Sequence, residues 1–297
     1  MSNKPRKMTL EKKHNLTGWA FLAPATFLIA VFSFWPMIKA LVLSFQTGKG
    51  RNMQMAGFTN YIRMFQDDVF IQSIKNTFFY FIIQVPIMLV VALVLACILN
   101  KKDLRFKGFF RTMIFLPCTT SLVAYSIIFR SLFANNGLVN YVLVNIGILD
   151  KPYNFLTQPF AAKMVILLGL LWRWTGYNMV FFLSGLQNIE YSVYEAAKID
   201  GASAIQTFFK ITVPLLKPTI LLTAIMSTNG TLQLFDESIN LTDGGPANAS
   251  ISMSHYIYNL CFKYVPNFGY AAAMSFFILL LVAVLAFIQM RVGDKRD

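Results

Sequence analysis

Glu195-Ala196-Ala197-Lys198-Ile199-Asp200-Gly201-Ala202-Ser203, followed by Pro214-Leu215-Leu216-Lys217-Pro218, is a polar interruption between two long apolar runs. Ser192 and Glu195 have the spacing of a capping box, in which hydroxyl and carboxylate each take a free amide at a helix start. Gly201 can close that helix in the left-handed conformation at little steric cost. Ser203 and Gln206 repeat the capping spacing and predict a second short helix. Pro214 is expected to close the unit by driving Val213 out of helical geometry. The reading is two short helices joined by a tight Asp200-Gly201-Ala202 turn. Ala196, Ala197 and Ala202 give it low relief, while Tyr191, Tyr194, Phe208 and Phe209 give it aromatic area. Such a unit serves either as a contact for another protein or as a capped loop packed on its own bundle.

Outward from this loop the chain is apolar. Of its 297 residues 56% are hydrophobic and only 13% charged, with mean hydropathy +0.56. That is too little charge to cover a soluble domain, so the composition implies a polytopic membrane protein. Six segments are long enough to cross about 30 Å of hydrocarbon: Trp19–Phe45, Asn76–Leu99, Phe109–Phe133, Phe160–Leu186, Leu215–Phe235 and Phe268–Met290. The first has too long an apolar run, and no small-residue cleavage site, for a removed signal peptide.

The net charge of +13 would suggest nucleic acid in a soluble chain. Here it follows from basic residues collecting on the cytoplasmic side of a membrane protein, and no hydrophilic surface interleaves aromatic with basic residues. Sixteen Lys and Arg fall in the N-terminal tail, the 100–111 loop, the 188–217 loop and the C-terminal tail, against six in the alternate loops. Both termini and the polar loop are therefore expected on the cytoplasmic side of the plasma membrane. The expected divisions are a tail at 1–15, a first transmembrane helix and outer loop at 16–75, a core at 76–291 and a tail at 292–297. On the outer side, Asn135-Asn136-Gly137 and Leu241–Pro246 read as turns with glycines at positive φ, and 138–148 as a short interfacial helix. Cys97, Cys118 and Cys261 are far apart, and with two His no metal-ligand spacing exists.

Glu195-Ala196-Ala197, then Asp200-Gly201-Ala202 and Pro214, resembles the EAA loop in the membrane subunits of bacterial ABC importers. Further pieces narrow the resemblance to carbohydrate-importer permeases of the maltose type: Phe115-Leu116-Pro117 opening span 3, Trp174 with Gly176-Tyr177 in span 4, Leu215–Pro218 opening span 5, and Phe235-Asp236 followed by Leu241-Thr242 and Gly244-Gly245-Pro246. The resemblance implies an all-α, six-span type I permease fold. It makes the loop at 188–214, with Tyr194, Glu195, Ala196, Ala197, Asp200, Gly201, Ala202, Phe208 and Pro214, a coupling helix seated in a cleft of a separate ATPase. It further implies a second homologous permease, two ATPase subunits holding ATP and magnesium, an extracytoplasmic sugar-binding protein and a carbohydrate cargo, with lipid around the spans. No phosphate-binding Gly-x-x-x-x-Gly-Lys motif exists here, so no nucleotide cofactor is expected on this chain.

Polar groups at membrane depth are costly and carry functional hypotheses. Arg173 lies mid-span and cannot face lipid; it either pairs with an acid of a partner subunit or lines the pathway. Asp236 and Glu237 read as interfacial. Ser227, Gly230, Thr231 and Gln233 offer uncharged hydrogen-bonding groups that suit sugar hydroxyls, or else serve helix packing. Through the resemblance, sugar-contacting positions fall near Trp172, Thr175, Gly176, Met179, Ser227, Gly230, Thr231 and Leu234. An embedded enzyme would need a convergent acid–base pair, which is absent. A secondary transporter would need buried carboxylates, which are nearly absent. A glycerol phosphate cargo stays open through Arg173.

Overall fold

The computed structural model describes residues 9–49, 52–101 and 103–293, without the side chains of Lys13 and Lys49. The basic residues expected in the tails at 1–8 and 294–297, and Lys102, lie outside the described residues. Helix α1 runs Leu10–Ser44 with a wide π turn at Ala30–Phe34. A two-stranded antiparallel hairpin follows, β1 (Gln46–Lys49) against β2 (Asn52–Met55) with Gln46 opposite Met55. Helix α2 (Thr59–Met64) leads to α3 (Asp68–Asn100), whose first turn is capped by the Asp67 carboxylate accepting from the amides of Val69 and Phe70.

The third predicted span is not one helix. Helix α4 (Lys107–Thr119) and α5 (Leu122–Leu132) meet at 98°. Pro117 sits in the last turn of α4 rather than opening the span. Thr120 and Ser121 are extended, so the chain turns at the end of a helix inside the apolar layer. Helix α6 (Leu138–Asn145) is the expected short helix. Gly137 before it has φ −82, not the expected positive value. Its lack of a side chain matters because a Cβ would strike the carbonyl oxygens of Ser131 and Leu132.

Helix α7 (Pro159–Gln187) packs along α3. Next come α8 (Tyr191–Ile199), α9 (Ala204–Leu215), α10 (Lys217–Leu232), α11 (Met253–Tyr258) and α12 (Phe268–Gly293). Helices α1, α3, α7 and α12 are each long and apolar enough to cross a membrane; with the bent pairs α4–α5 and α9–α10 counted as one span apiece there are six. Among the described residues the regular structure is helical except for the short hairpin.

Three apolar clusters follow one another along α3. Phe70 packs with Met253, Tyr270 and Met274. Tyr80 packs with Tyr125, Val165 and Leu241. Ala92, Leu93 and Ala96 pack with Met179, Phe182 and Leu216. The apolar window of α1 has none of its residues buried. In water such a helix would be unstable; in hydrocarbon its backbone is internally bonded and its apolar surface needs no cover.

Candidate functional site

The polar loop folds as two helices joined by a left-handed glycine. Gly201 has φ +75. Its amide donates to the Lys198 carbonyl at 3.2 Å, and the Ala202 amide donates to the Ala197 carbonyl at 2.9 Å. These two bonds form a Schellman ending for α8. Ser203 then caps α9: its Oγ accepts from the Gln206 amide at 3.3 Å, while its own amide donates to Gln206 Oε1 at 2.8 Å. The first expected capping box is absent. Helix α8 starts from Glu190, which places Ser192 inside its first turn. The Ser192 hydroxyl donates instead to Glu190 Oε2 at 3.4 Å.

Pro214 does not close the unit either. Val213 is helical, with φ −62 and ψ −47. A π turn at Phe208–Thr212 widens the helix just upstream, relieving the clash of the proline ring with the preceding turn. The chain bends later, at Leu216, by 70° between α9 and α10. Leu216 is buried with Phe182, Leu183 and Leu186 of α7. Leu216 thus joins the end of the loop unit to both α7 and α10.

Tyr194 approaches α9 through its hydroxyl, 3.4 Å from Thr212 Oγ1. Ala197 is buried, while Glu195, Ala196 and Asp200 are exposed. A shallow recess is lined by Tyr194, Glu195, Lys198, Ala202 and Phe208. Beside it Ile199 is 86% exposed, Ile205 71% and Phe209 65%. The polar segment thus carries three large apolar side chains in the open.

The second feature is a cavity of about 470 Å³ halfway along α3 and α7. The wall from α10 and the segment after it includes Ser227, Gly230, Thr231, Gln233 and Leu234, and α7 adds Arg173, Trp174, Tyr177 and Asn178. Thr231 donates to Gln84 of α3 at 2.6 Å, and Ser227 donates to Asn178 at 3.3 Å. These bonds pair polar groups that hydrocarbon would leave unsatisfied. They also present amides and hydroxyls next to the Trp174 and Tyr177 rings, which meet edge to face at 5.8 Å.

Four other expected positions lie outside the cavity wall. Trp172 stacks on Tyr125 at 6.1 Å. Thr175 is half-buried. Gly176 faces the backbone of α4, where a Cβ would lie 2.7 Å from the Ile114 carbonyl carbon. Met179 is fully buried in the cluster with Phe182 and Leu216. Helix α7 thus turns its Arg173–Asn178 face to the cavity and its Gly176–Met179 face to protein.

Two residues carry more of the site than the sequence reading gave them. Gln84 is an amide in the middle of an apolar span, a signal by itself at membrane depth. Glu237, expected at the interface, is only 4% exposed. It lines the cavity together with Trp174 and Arg173. Among the described residues no His, Cys, Asp and Glu cluster could hold a metal ion, and the three cysteines are free.

Residues 13–296 match the family described as binding-protein-dependent transport system inner membrane component. The chain belongs to that family. It is a permease component of an ABC-type importer, not an enzyme. It is 51% identical to the lactose transport system permease protein LacF of Rhizobium radiobacter, over 98% of each chain. It is 31% identical to the arabinooligosaccharides transport system permease protein AraP of Halalkalibacterium halodurans, over 96% of this chain and 90% of the relative. Its fold matches a chain of a bacterial alginate ABC transporter, crystallised in complex with an alginate pentasaccharide-bound periplasmic protein. The TM-score there is 0.85 at 25% identity, over 98% of both chains.

Proposed function

We propose that this permease forms half of the pathway of an ATP-driven importer for a neutral oligosaccharide, a disaccharide of the lactose type. The second half comes from a homologous permease. Two separate ATPase subunits carry ATP and magnesium, one under each permease, and α8 with the start of α9 seats in a cleft of its ATPase. An extracytoplasmic sugar-binding protein delivers cargo at the opposite face, and both termini are cytoplasmic. Closure of the ATPase pair moves α8, and the movement reaches the spans through Leu216 at the α9–α10 bend. The pathway then opens outward, and hydrolysis resets it inward. Coupling falls to Tyr194, Glu195, Ala196, Ala197, Asp200, Gly201, Ala202, Phe208 and Pro214, and cargo contact to the cavity wall.

The observation that carries this reading is the exposed apolar rim of Ile199, Ile205 and Phe209 around a rigidly capped turn. Support for a sugar comes from the cavity's uncharged donors beside aromatic rings and from the 51% identical lactose permease. A volume of about 470 Å³ lies within the usual range for small-molecule sites.

The test is purification from the native host in mild detergent with a crosslinker on Ile199→Cys, together with uptake of labelled lactose. Expected are a stoichiometric ATPase, a second permease, and uptake that survives collapse of the proton gradient but not depletion of ATP. Recovery of the chain without an ATPase, or uptake that follows the proton gradient instead, refutes the reading.

A further inference from the structure

The corner between α4 and α5 is a helix end inside an apolar layer, where each freed carbonyl needs a new donor. Two are served locally. Thr119 Oγ1 donates to the Leu116 carbonyl at 2.8 Å, and Thr120 Oγ1 donates to the Pro117 carbonyl at 2.7 Å. The carbonyl of Thr120, at the corner itself, is served from another span: Arg173 Nη1 of α7 donates to it at 3.0 Å. The same guanidinium lies 5.4 Å from the centre of the Tyr125 ring on α5 and 5.5 Å from that of Trp174. It therefore touches both sides of the break.

Arg173 also belongs to the cavity wall, with Asp236 and Glu237. It is 6% exposed, and its Nε has no hydrogen-bond partner among the described residues. A buried donor without a partner is costly, and this one belongs to a side chain that borders open space. Two neighbouring acids set against one guanidinium make the wall unsuited to a phosphate. They suit a hydroxyl, which can accept from arginine and donate to a carboxylate at once.

We propose that Arg173 is the positioning residue that ties occupancy of the cavity to the angle of the broken span. A cargo hydroxyl at the cavity wall takes a guanidinium N–H other than the one by which Nη1 holds the Thr120 carbonyl. The guanidinium is a rigid plane, so a ligand that draws one N–H also moves the other. Lysine keeps the charge but has independently rotating donors, and so separates the fork from the charge. This inference rests on the sugar reading of the cavity.

The test uses the assembled importer, purified with its native partners and placed in lipid. Native cysteines are replaced by serine, and spin labels go on Met113→Cys in α4 and Ile128→Cys in α5, both exposed positions. The label separation is measured with and without lactose, delivered by the binding protein, in the wild type and in Arg173→Lys. In the wild type the separation changes on adding lactose. In Arg173→Lys the half-saturating lactose concentration rises by up to about tenfold, the scale of one charge-assisted hydrogen bond, and at saturating lactose the separation still does not respond.

A variant that responds like the wild type overturns the inference. So does a wild type with no sugar-dependent change, which decides the matter even if Arg173→Lys does not assemble. A wild-type importer that takes up no sugar from a panel of disaccharides sinks the sugar reading and this inference with it. Normal sugar uptake with an indistinguishable Arg173→Lys sinks the inference alone.

Discussion

Replacement of Gly201 isolates backbone conformation from steric fit. Its φ is +75, and a Cβ built there meets nothing within 4 Å. Any effect of a small side chain inside the folded loop must then come from the left-handed conformation itself. That conformation costs an ordinary L-residue roughly 1–2 kcal/mol, a β-branched one more, and asparagine little. A cost of 1–2 kcal/mol changes the occupancy of a local state by about 5- to 30-fold. The states at stake are defined by the Gly201 to Lys198 and Ala202 to Ala197 bonds. We expect Gly201→Asn to transport close to the wild type, Gly201→Ala to lose a few-fold, and Gly201→Val to lose more than about tenfold. All three should reach the membrane at normal levels, because the apolar spans are untouched. Uptake of labelled sugar per amount of membrane-inserted protein measures the first quantity, and hydrogen exchange at the amides of residues 201 and 202 reads the two bonds directly. Wild-type uptake by Gly201→Val would refute the argument. Equal damage from Asn and Val would refute it differently, by showing that the partner surface rejects any side chain at this point.

Gly176 is the contrasting case, since its constraint is space. A Cβ there lies 2.7 Å from the Ile114 carbonyl carbon and 3.1 Å from the Phe115 Cα, so Gly176→Ala must part α4 from α7. The expected loss is about 1–3 kcal/mol of stability, read as a lower melting temperature of the purified complex, with transport falling alongside as the Arg173 to Thr120 bond lengthens; an unchanged melting temperature would contradict the packing. Acidification should loosen the 238–263 segment through His255, which is fully buried with Nδ1 2.9 Å from Ser238 Oγ. Burial depresses its basicity, Asp243 opposes this and Lys263 reinforces it. A depressed folded value means that stability is present above the ordinary value of 6.5 and lost as pH falls through the folded one. Amide protection factors across 238–263 should therefore decline as pH falls below about 6.5 in the wild type and not in His255→Gln, and identical pH profiles in the two would remove His255 as the cause.

The features legible in the sequence are those whose physics is local. The second capping box, the left-handed glycine and the start of α10 within Leu215–Pro218 depend on a few neighbouring residues, and they stand in the structure. Pro214 misled because a proline's effect depends on the turn before it, and no residue pattern announces the π turn at Phe208–Thr212. The rotational phase of α7 was illegible for a different reason. In water an apolar stripe marks the buried face of a helix, but in a membrane lipid and protein core are both apolar. Met179 could thus be placed on the pathway by sequence when it faces Phe182 and Leu216. Polar residues carry the phase information instead, because hydrocarbon penalises any that lack a partner. Gln84, Asn178, Ser227 and Thr231 together fix which faces of α3, α7 and α10 meet. Glu237 fits the same logic, since its neighbours on the cavity wall, Trp174 and Arg173, lie on another helix about sixty residues earlier. In this permease the few polar side chains at depth orient the helices around the cavity and also line it, so under the proposed function a substitution among them is expected to alter packing and cargo contact together.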